Sequence, residues 1–374
     1  MALPMLVFYA VGALGSYLVA DLRIEPGALG YLTLSAFGFA ALLSLWAGAL
    51  VNRFGSRRSL MLLFAIAALA YGLIGLVPGF YGLVMAVAVC GIAQALANPA
   101  TNLLIAESLA PQKKAAVVGL KQAGVQISAL VAGLLLPGLA QRFGWRLALV
   151  AVVPVAVLLA FSVPLVAPRH LGKSPPMRFA LKRPNAALSL LMMVQLCAGI
   201  ALSSFVTFLG LFSTAQGMST LQTGGLVAAF GIMGILARVL LTPLGGRLHD
   251  ESLLLLVLLV LAALAVWVTS QASDQRLWVL WLGTIGMGST AVATNAIAMS
   301  MLLRDPAFGA PAVAAGMLSV GFFSGFALGP PVFGALIRAG LSFDLAWDGL
   351  IAVLLLGGLV SVVLYKIRSE GHAR

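Results

Sequence analysis

Charge is what this chain has least of. Charged side chains make up 9% of it, against about 25% in an ordinary soluble domain, and the acidic ones number only 10. That scarcity excludes a soluble body with a membrane anchor attached, because too few charges remain to keep its surface in water. Cysteine is equally sparse: Cys90 and Cys197 each lie inside an apolar run, which argues against a disulfide and reads as two buried free thiols. His170, His249 and His372 fall in or near polar segments. Neither a GxSxG, an HExxH nor a phosphate-loop pattern occurs, and histidines and carboxylates do not cluster. An enzyme is therefore not expected, and neither is a resident metal or cofactor.

What fills the chain is apolar. Hydrophobic residues make up 62% of it, in long runs that recur from end to end. A helix needs about 20 apolar residues to cross the hydrocarbon core of a bilayer. By that measure there are about twelve spans, at 2–20, 29–51, 59–77, 80–105, 115–139, 146–167, 186–212, 222–247, 252–271, 277–303, 311–338 and 344–366. The first has the length of a signal-peptide core, but it lacks a basic leader and further spans follow it, so it counts as a span. Because the chain begins directly in that span, a short segment is expected to precede it in the natural protein.

The net charge of +12 does not form a continuous face, so nucleic acid is not an expected partner. The basic residues read instead as orientation signals. Arg53, Arg57, Arg58, Lys113, Lys114, the run from Arg169 to Arg183, Arg247, Arg304, Lys366, Arg368 and Arg374 fall on one side. Arg23, Arg142, Arg146, Arg276 and Arg338 fall on the other. The imbalance places both termini in the cytoplasm and requires an even number of spans. The interval "APRHLGKSPPMRFALKRPN", Ala167 to Asn185, is basic and rich in proline, as a cytoplasmic linker would be. The expected organisation is thus a six-helix bundle at 1–167, a linker at 168–185 and a second bundle at 186–374. Asn98, Gly119 and Gly124 recur 197 positions later as Asn295, Gly316 and Gly321, which suggests two parallel repeats.

The stretch "GALVNRFGSRRSL", Gly48 to Leu60, resembles the loop motif between the second and third helices of the major facilitator superfamily. Gly48, Leu50, Arg53, Gly55, Arg57 and Arg58 match it, while Asn52 stands where the motif has Asp and Ser56 where it has Arg. "GWR" at Gly144 to Arg146 and the twelve spans extend the resemblance over the whole chain. It implies an all-α integral membrane protein with twelve transmembrane helices in two pseudo-symmetric six-helix bundles. It also implies a monomer that moves a small molecule by alternating access, in the inner (plasma) membrane of a bacterium. In such a protein Gly48, Asn52, Arg53, Gly55, Arg57 and Arg58 form a gating motif, with Asp250 at the corresponding place in the second repeat. Physically, glycine permits close approach at the turn and the arginines can meet helix C-termini or a carboxylate. They can equally be topology anchors alone. "GLKQAGVQ" and "NPATNLL" resemble the cyanate and nitroimidazole branch of the superfamily.

An ionisable side chain deep in a bilayer is costly, so it faces protein or water and carries function by default. Two stand out, Lys121 in "GLKQAGVQIS" and Arg238 in "GILARVLLTP". No span has a central carboxylate to pair with them. An anionic substrate would supply the missing charge, and arginine offers a planar fork for an oxyanion. The competing readings are that Lys121 snorkels to the cytoplasmic interface and that Arg238 binds backbone carbonyls at a helix break or end. Gln122 and Gln126 share a face with Lys121, while Gln94, Asn98 and Asn102 share a face of the fourth span. Gln195, Ser203, Ser204 and Thr207 in the seventh span, with Ser289, Thr290, Thr294 and Asn295 in the tenth, add neutral polar groups, each of which can instead bond a neighbouring helix. Tyr9 and Tyr17 are further candidates for the cavity. Gly119 and Gly124 are expected to allow close helix contact.

The function expected is a secondary active transporter of a small organic or inorganic anion, with a carboxylate as the type case. A coupling proton or an exchanged anion is a further expected partner besides the bilayer. The alternative is an exporter of a drug or other neutral or acidic lipophilic compound.

Overall fold

The computed structural model describes residues 1–108, 111–167, 183–245, 250–309 and 311–372. Arg169, His170, Lys173, Arg178, Lys182, Arg247, His249 and Arg374 lie outside the described residues, as do the side chains of Lys113, Lys114 and His372 and the surroundings of Gly119. The described residues form α1 (Ala2–Leu22), α2 (Leu29–Leu76), α3 (Gly79–Ser108), α4 (Pro111–Phe143), α5 (Trp145–Val150) and α6 (Val152–Val166). After the linker come α7 (Ala186–Ala215), α8 (Thr220–Gly245), α9 (Glu251–Ser270), α10 (Trp278–Arg304), α11 (Pro311–Arg338) and α12 (Phe343–His372). Among them, 11 helical stretches are long and apolar enough to cross a membrane.

One of those stretches makes two crossings. As a straight rod, the 48 residues of α2 would run about 72 Å at about 1.5 Å per residue, more than twice the roughly 30 Å hydrocarbon core. Gly55 breaks the rod with φ 78° and ψ 164°, a conformation open in practice only to glycine. The chain turns back there, so that Leu32 and Ile74 line the same apolar cavity although 42 positions separate them. Counted this way, the helices make twelve crossings in two pseudo-symmetric six-helix bundles. The membrane-facing shell explains why so many large apolar side chains, such as Leu76, Leu158 and Leu165, remain exposed.

The first six crossings meet the last six chiefly along three helix pairs, α1 with α7, α2 with α11 and α4 with α8, with smaller contacts of α1 with α8 and α2 with α7. Small residues make this possible: a Cβ at Gly12 would strike the Val206 carbonyl, and one at Gly210 the Gly12 carbonyl. Gly27 meets Gly334, Gly30 meets Pro330 and Gly133 meets Gly224 in the same way. Hydrogen bonds follow the same seam. Thr33 and Thr207 hydroxyls lie 3.0 Å apart, Tyr17 and Thr220 3.3 Å apart, and Arg338 donates to the Tyr31 hydroxyl at 3.0 Å. Most of these contacts cluster toward the membrane face opposite the basic loops. There the two bundles are closed against each other.

The close approach expected of Gly124 is not made there. A Cβ at Gly124 would find only an ordinary contact with Met1, and the tight point on α4 is Gly133. Gly48 likewise has no neighbour within 4 Å of an added Cβ, so the turn of the basic loop depends on the backbone of Gly55 instead.

Candidate functional site

Between the two bundles, on the basic side of their closed seam, lies a small cavity of about 30 Å³. Met5, Phe8 and Tyr9 of α1 line it with Val125 and Gln126 of α4; across from them stand Leu202 and Val206 of α7, Phe230 and Arg238 of α8, Val292 of α10, and Phe322 and Phe326 of α11. Six helices from both bundles therefore converge on one small, mostly apolar space with three polar groups. That combination is typical of a small-molecule site.

The three polar groups are tied together. Tyr9 donates its hydroxyl to Gln126 Oε1 at 3.3 Å, and both side chains are buried. Gln126 packs over Gly234 of α8, where a Cβ would collide with its carboxamide. Arg238, half-buried one turn further along α8, donates through Nη1 to the backbone carbonyl of Gln122 and through Nε to that of Val292 at 3.5 Å. Its Nη2 makes no hydrogen bond among the described residues. No carboxylate among them reaches the guanidinium either; the ion pairs lie elsewhere. Carbonyl partners are what a structural role for Arg238 would use, and two are present. The remaining donors of the fork are left over.

Lys121 is placed differently from Arg238. Its ammonium donates to Asn102 Oδ1 at 2.6 Å and to Asn98 Oδ1 at 3.2 Å, which joins α4 to α3 on the basic side of the cavity. Gln122 reaches the site through its carbonyl, where the sequence suggests the side chain. Asn295 donates to Gln195 Oε1 at 3.2 Å and Gln195 in turn to the Thr294 carbonyl at 3.4 Å, a pair internal to the second bundle. Gln94 is buried on α3 and its Oε1 has no hydrogen-bond partner among the described residues. Ser289, Thr290 and Thr294 turn back onto carbonyls of their own helix, so they offer the cavity less than their number suggests.

At the basic face, Ser56 donates to Glu107 at 2.5 Å, which ties the Gly55 turn to the end of α3. Arg53 and Arg58 are exposed, Arg57 is half-buried, and Asn52 is half-buried and engaged. In the second bundle, Asp250 caps α9 by accepting from Ser252 N at 2.8 Å and also accepts from Arg368 Nη1 at 2.5 Å. Arg368 is 8% exposed and binds Asp305 as well, through Nη2 at 2.8 Å and Nε at 3.2 Å. Glu251 pairs with Arg304 beside them. One arginine of α12 thus joins the α8–α9 and α10–α11 loops.

The sequence did not single out Phe8, Phe230, Phe322 and Phe326, which form much of the cavity wall. The signal available was the i, i+4 spacing of Phe322 and Phe326 on the helix that corresponds to α4.

The family model described as Major Facilitator Superfamily matches residues 1–310. Among solved structures, the fold is similar to that of a bacterial homolog to the human lysosomal transporter Spinster in an inward-facing and occupied conformation. The TM-score is 0.76 at 16% identity, covering 98% of this chain and 94% of that one. At such identity the likeness is one of fold. Comparison with curated proteins gave no match.

Proposed function

Because the chain belongs to the major facilitator superfamily, whose members are transporters, we propose that it is a secondary active transporter of a small, carboxylate-like anion. The observation that carries this reading is Arg238: a cation at a cavity between the bundles, with donors to spare and no carboxylate beside it among the described residues. An unpaired cation in such a place is costly, and an anion offsets that cost. Because Gln126 and Tyr9 stand on the same wall, they can hydrogen-bond the anion without adding charge. Lys121, with Asn98 and Asn102, lies nearer the basic side, where it attracts the anion on its way in or out.

In this reading the units that move are 1–167 and 186–374, joined by 168–185, and they rock about the cavity. The basic loops and both termini face the cytoplasm of a bacterium, across its inner membrane, and the monomer is the working unit. Closure at the face opposite the basic loops then corresponds to an inward-facing state, as in the Spinster homolog. The gating motif around Gly55 and the Asp250 cluster sit at that inner face. Midmembrane carboxylates and histidines are lacking in the sequence, so exchange of anions, or a proton carried by the substrate itself, fits better than a side-chain relay.

A second reading, export of a neutral or acidic lipophilic compound, draws on the nine apolar residues among the twelve that line the cavity. The thermal unfolding midpoint of the detergent-purified protein against small carboxylates, neutral isosteres and cations separates the two, since a ligand of the native state stabilises it by RT ln(1 + [L]/Kd). Shifts confined to anions, and lost in Arg238→Ala, are expected. Shifts with neutral or cationic compounds alone would give export first place.

A further inference from the structure

From the aromatic rings that line the cavity together with Arg238, we infer that the substrate is a small organic carboxylate with a planar aromatic body, and not an inorganic oxyanion or a short aliphatic acid. The inference rests on the anion reading above and narrows it. Aromatic rings from three helices form one unbroken series along the cavity: Phe230 with Tyr9 at 6.2 Å between centroids, Tyr9 with Phe8 at 4.9 Å, Phe8 with Phe326 at 5.3 Å and Phe326 with Phe322 at 4.7 Å. Every ring in that series lines the cavity. Interplanar angles of 45° to 58° leave ring faces and edges both presented, so a flat guest can be stacked and edged at once. Phe322, at the end of the series nearer the basic face, is half-buried, while Phe8, Tyr9, Phe230 and Phe326 are buried.

The polar and aromatic walls occupy corresponding helices. At the 197-residue offset, Lys121, Gln122, Val125 and Gln126 of α4 fall on Leu318, Ser319, Phe322 and Phe323 of α11. Val125 and Phe322 both line the cavity. On this face α4 thus carries Val125 and Gln126 where α11 carries Phe322 and Phe323. A strongly hydrated inorganic anion would have to shed water against that ring surface and gain nothing from it. A carboxylate on a ring places its charge at Arg238, with Gln126 and Tyr9 beside it, and its body against Phe8, Phe322 and Phe326.

The test is binding to the purified full-length protein by thermal shift and by competition in proteoliposome exchange, with benzoate, cyclohexanecarboxylate, acetate, nitrate and benzamide as probes. The expected order is benzoate first, by at least about tenfold over acetate and nitrate, with benzamide inactive. Phe326→Leu and Phe322→Leu, which keep the apolar volume, are expected to remove the preference for benzoate over cyclohexanecarboxylate while leaving both bound. Equal affinity for benzoate, acetate and nitrate would overturn the inference and leave the anion reading standing. Benzamide equal to benzoate would overturn both. Loss of all binding in the leucine variants, with an unchanged unfolding midpoint, would make the rings a gate and overturn the inference as well.

Discussion

Arg238 has Nε and Nη1 fixed by the carbonyls of Val292 and Gln122, so its fork is held in one orientation before any substrate arrives. Preorganisation of this kind lowers the entropy lost on binding. Removing it should cost the hydrogen bonds of a charged donor, roughly 1.5–3 kcal/mol, which corresponds to about 10- to 100-fold in affinity. Arg238→Ala is therefore expected to abolish measurable anion uptake into liposomes while the protein still elutes as a single species; unchanged uptake would remove Arg238 from the site. Lys121 shares its ammonium between Asn98 and Asn102, both neutral, so its charge remains available to a passing anion. Lys121→Gln should reduce anion affinity more than Gln126→Ala does, as read by competition in the same vesicles, and the reverse order would make Lys121 a strut between α3 and α4. Both cations were legible in the sequence because a charge in an apolar run is conspicuous. The rings were not, since a phenylalanine in a membrane helix looks the same whether it meets lipid, core or substrate. Nor could the Gln122 carbonyl be foreseen, because a backbone acceptor leaves no mark on residue identity.

Two glycines carry more of the helix arrangement than their size suggests. Gly55 holds φ 78° and ψ 164° at the turn within α2, a region where a side chain costs about 1–3 kcal/mol. Gly55→Ala should lower the thermal midpoint measurably, whereas Gly48→Ala, at a position with free space around it, should leave it unchanged. Equal effects would show that the turn does not depend on the conformation of Gly55. Gly210 packs on the Gly12 carbonyl where α1 meets α7. A valine there forces the two helices apart on the closed side of the cavity. In a Tyr17→Cys background, where Cys90 and Cys197 are 1% and 2% exposed and contribute little labelling, Gly210→Val is expected to raise modification by a membrane-impermeant maleimide several-fold. At this scale the sequence was a good guide to spans and to the turn in the basic loop, both set by hydropathy and charge. Which glycines touch was hidden, since contact depends on the rotation of each helix about its axis; Gly124 was a reasonable choice by composition, and Gly133 makes the contact.

The whole molecule is two bundles joined along one seam and held rigid at the opposite face by separate means. In the second bundle Arg368 fixes two loops at once through Asp250 and Asp305, and breaking a buried pair of this kind typically costs about 3–5 kcal/mol. That bundle therefore resists deforming internally, while the seam between bundles consists of glycine and ring contacts and a few hydrogen bonds, among them those donated by Arg338 and Arg238. Motion should then occur as rotation of whole bundles, and any fixed link across the seam should stop it. Thr33 of α2 and Thr207 of α7 provide the place for such a link: their hydroxyls lie 3.0 Å apart, both are buried, and the two helices belong to different bundles. Cysteine is close to threonine in size, so Thr33→Cys with Thr207→Cys introduces a disulfide with little disturbance. Oxidation of that double variant is expected to abolish substrate flux and reduction to restore it, while the ligand-induced rise in unfolding midpoint survives in both forms. Flux that continues after complete cross-linking would mean that the bundles do not part at Thr33 and Thr207, and that transport proceeds by local movement around the cavity alone.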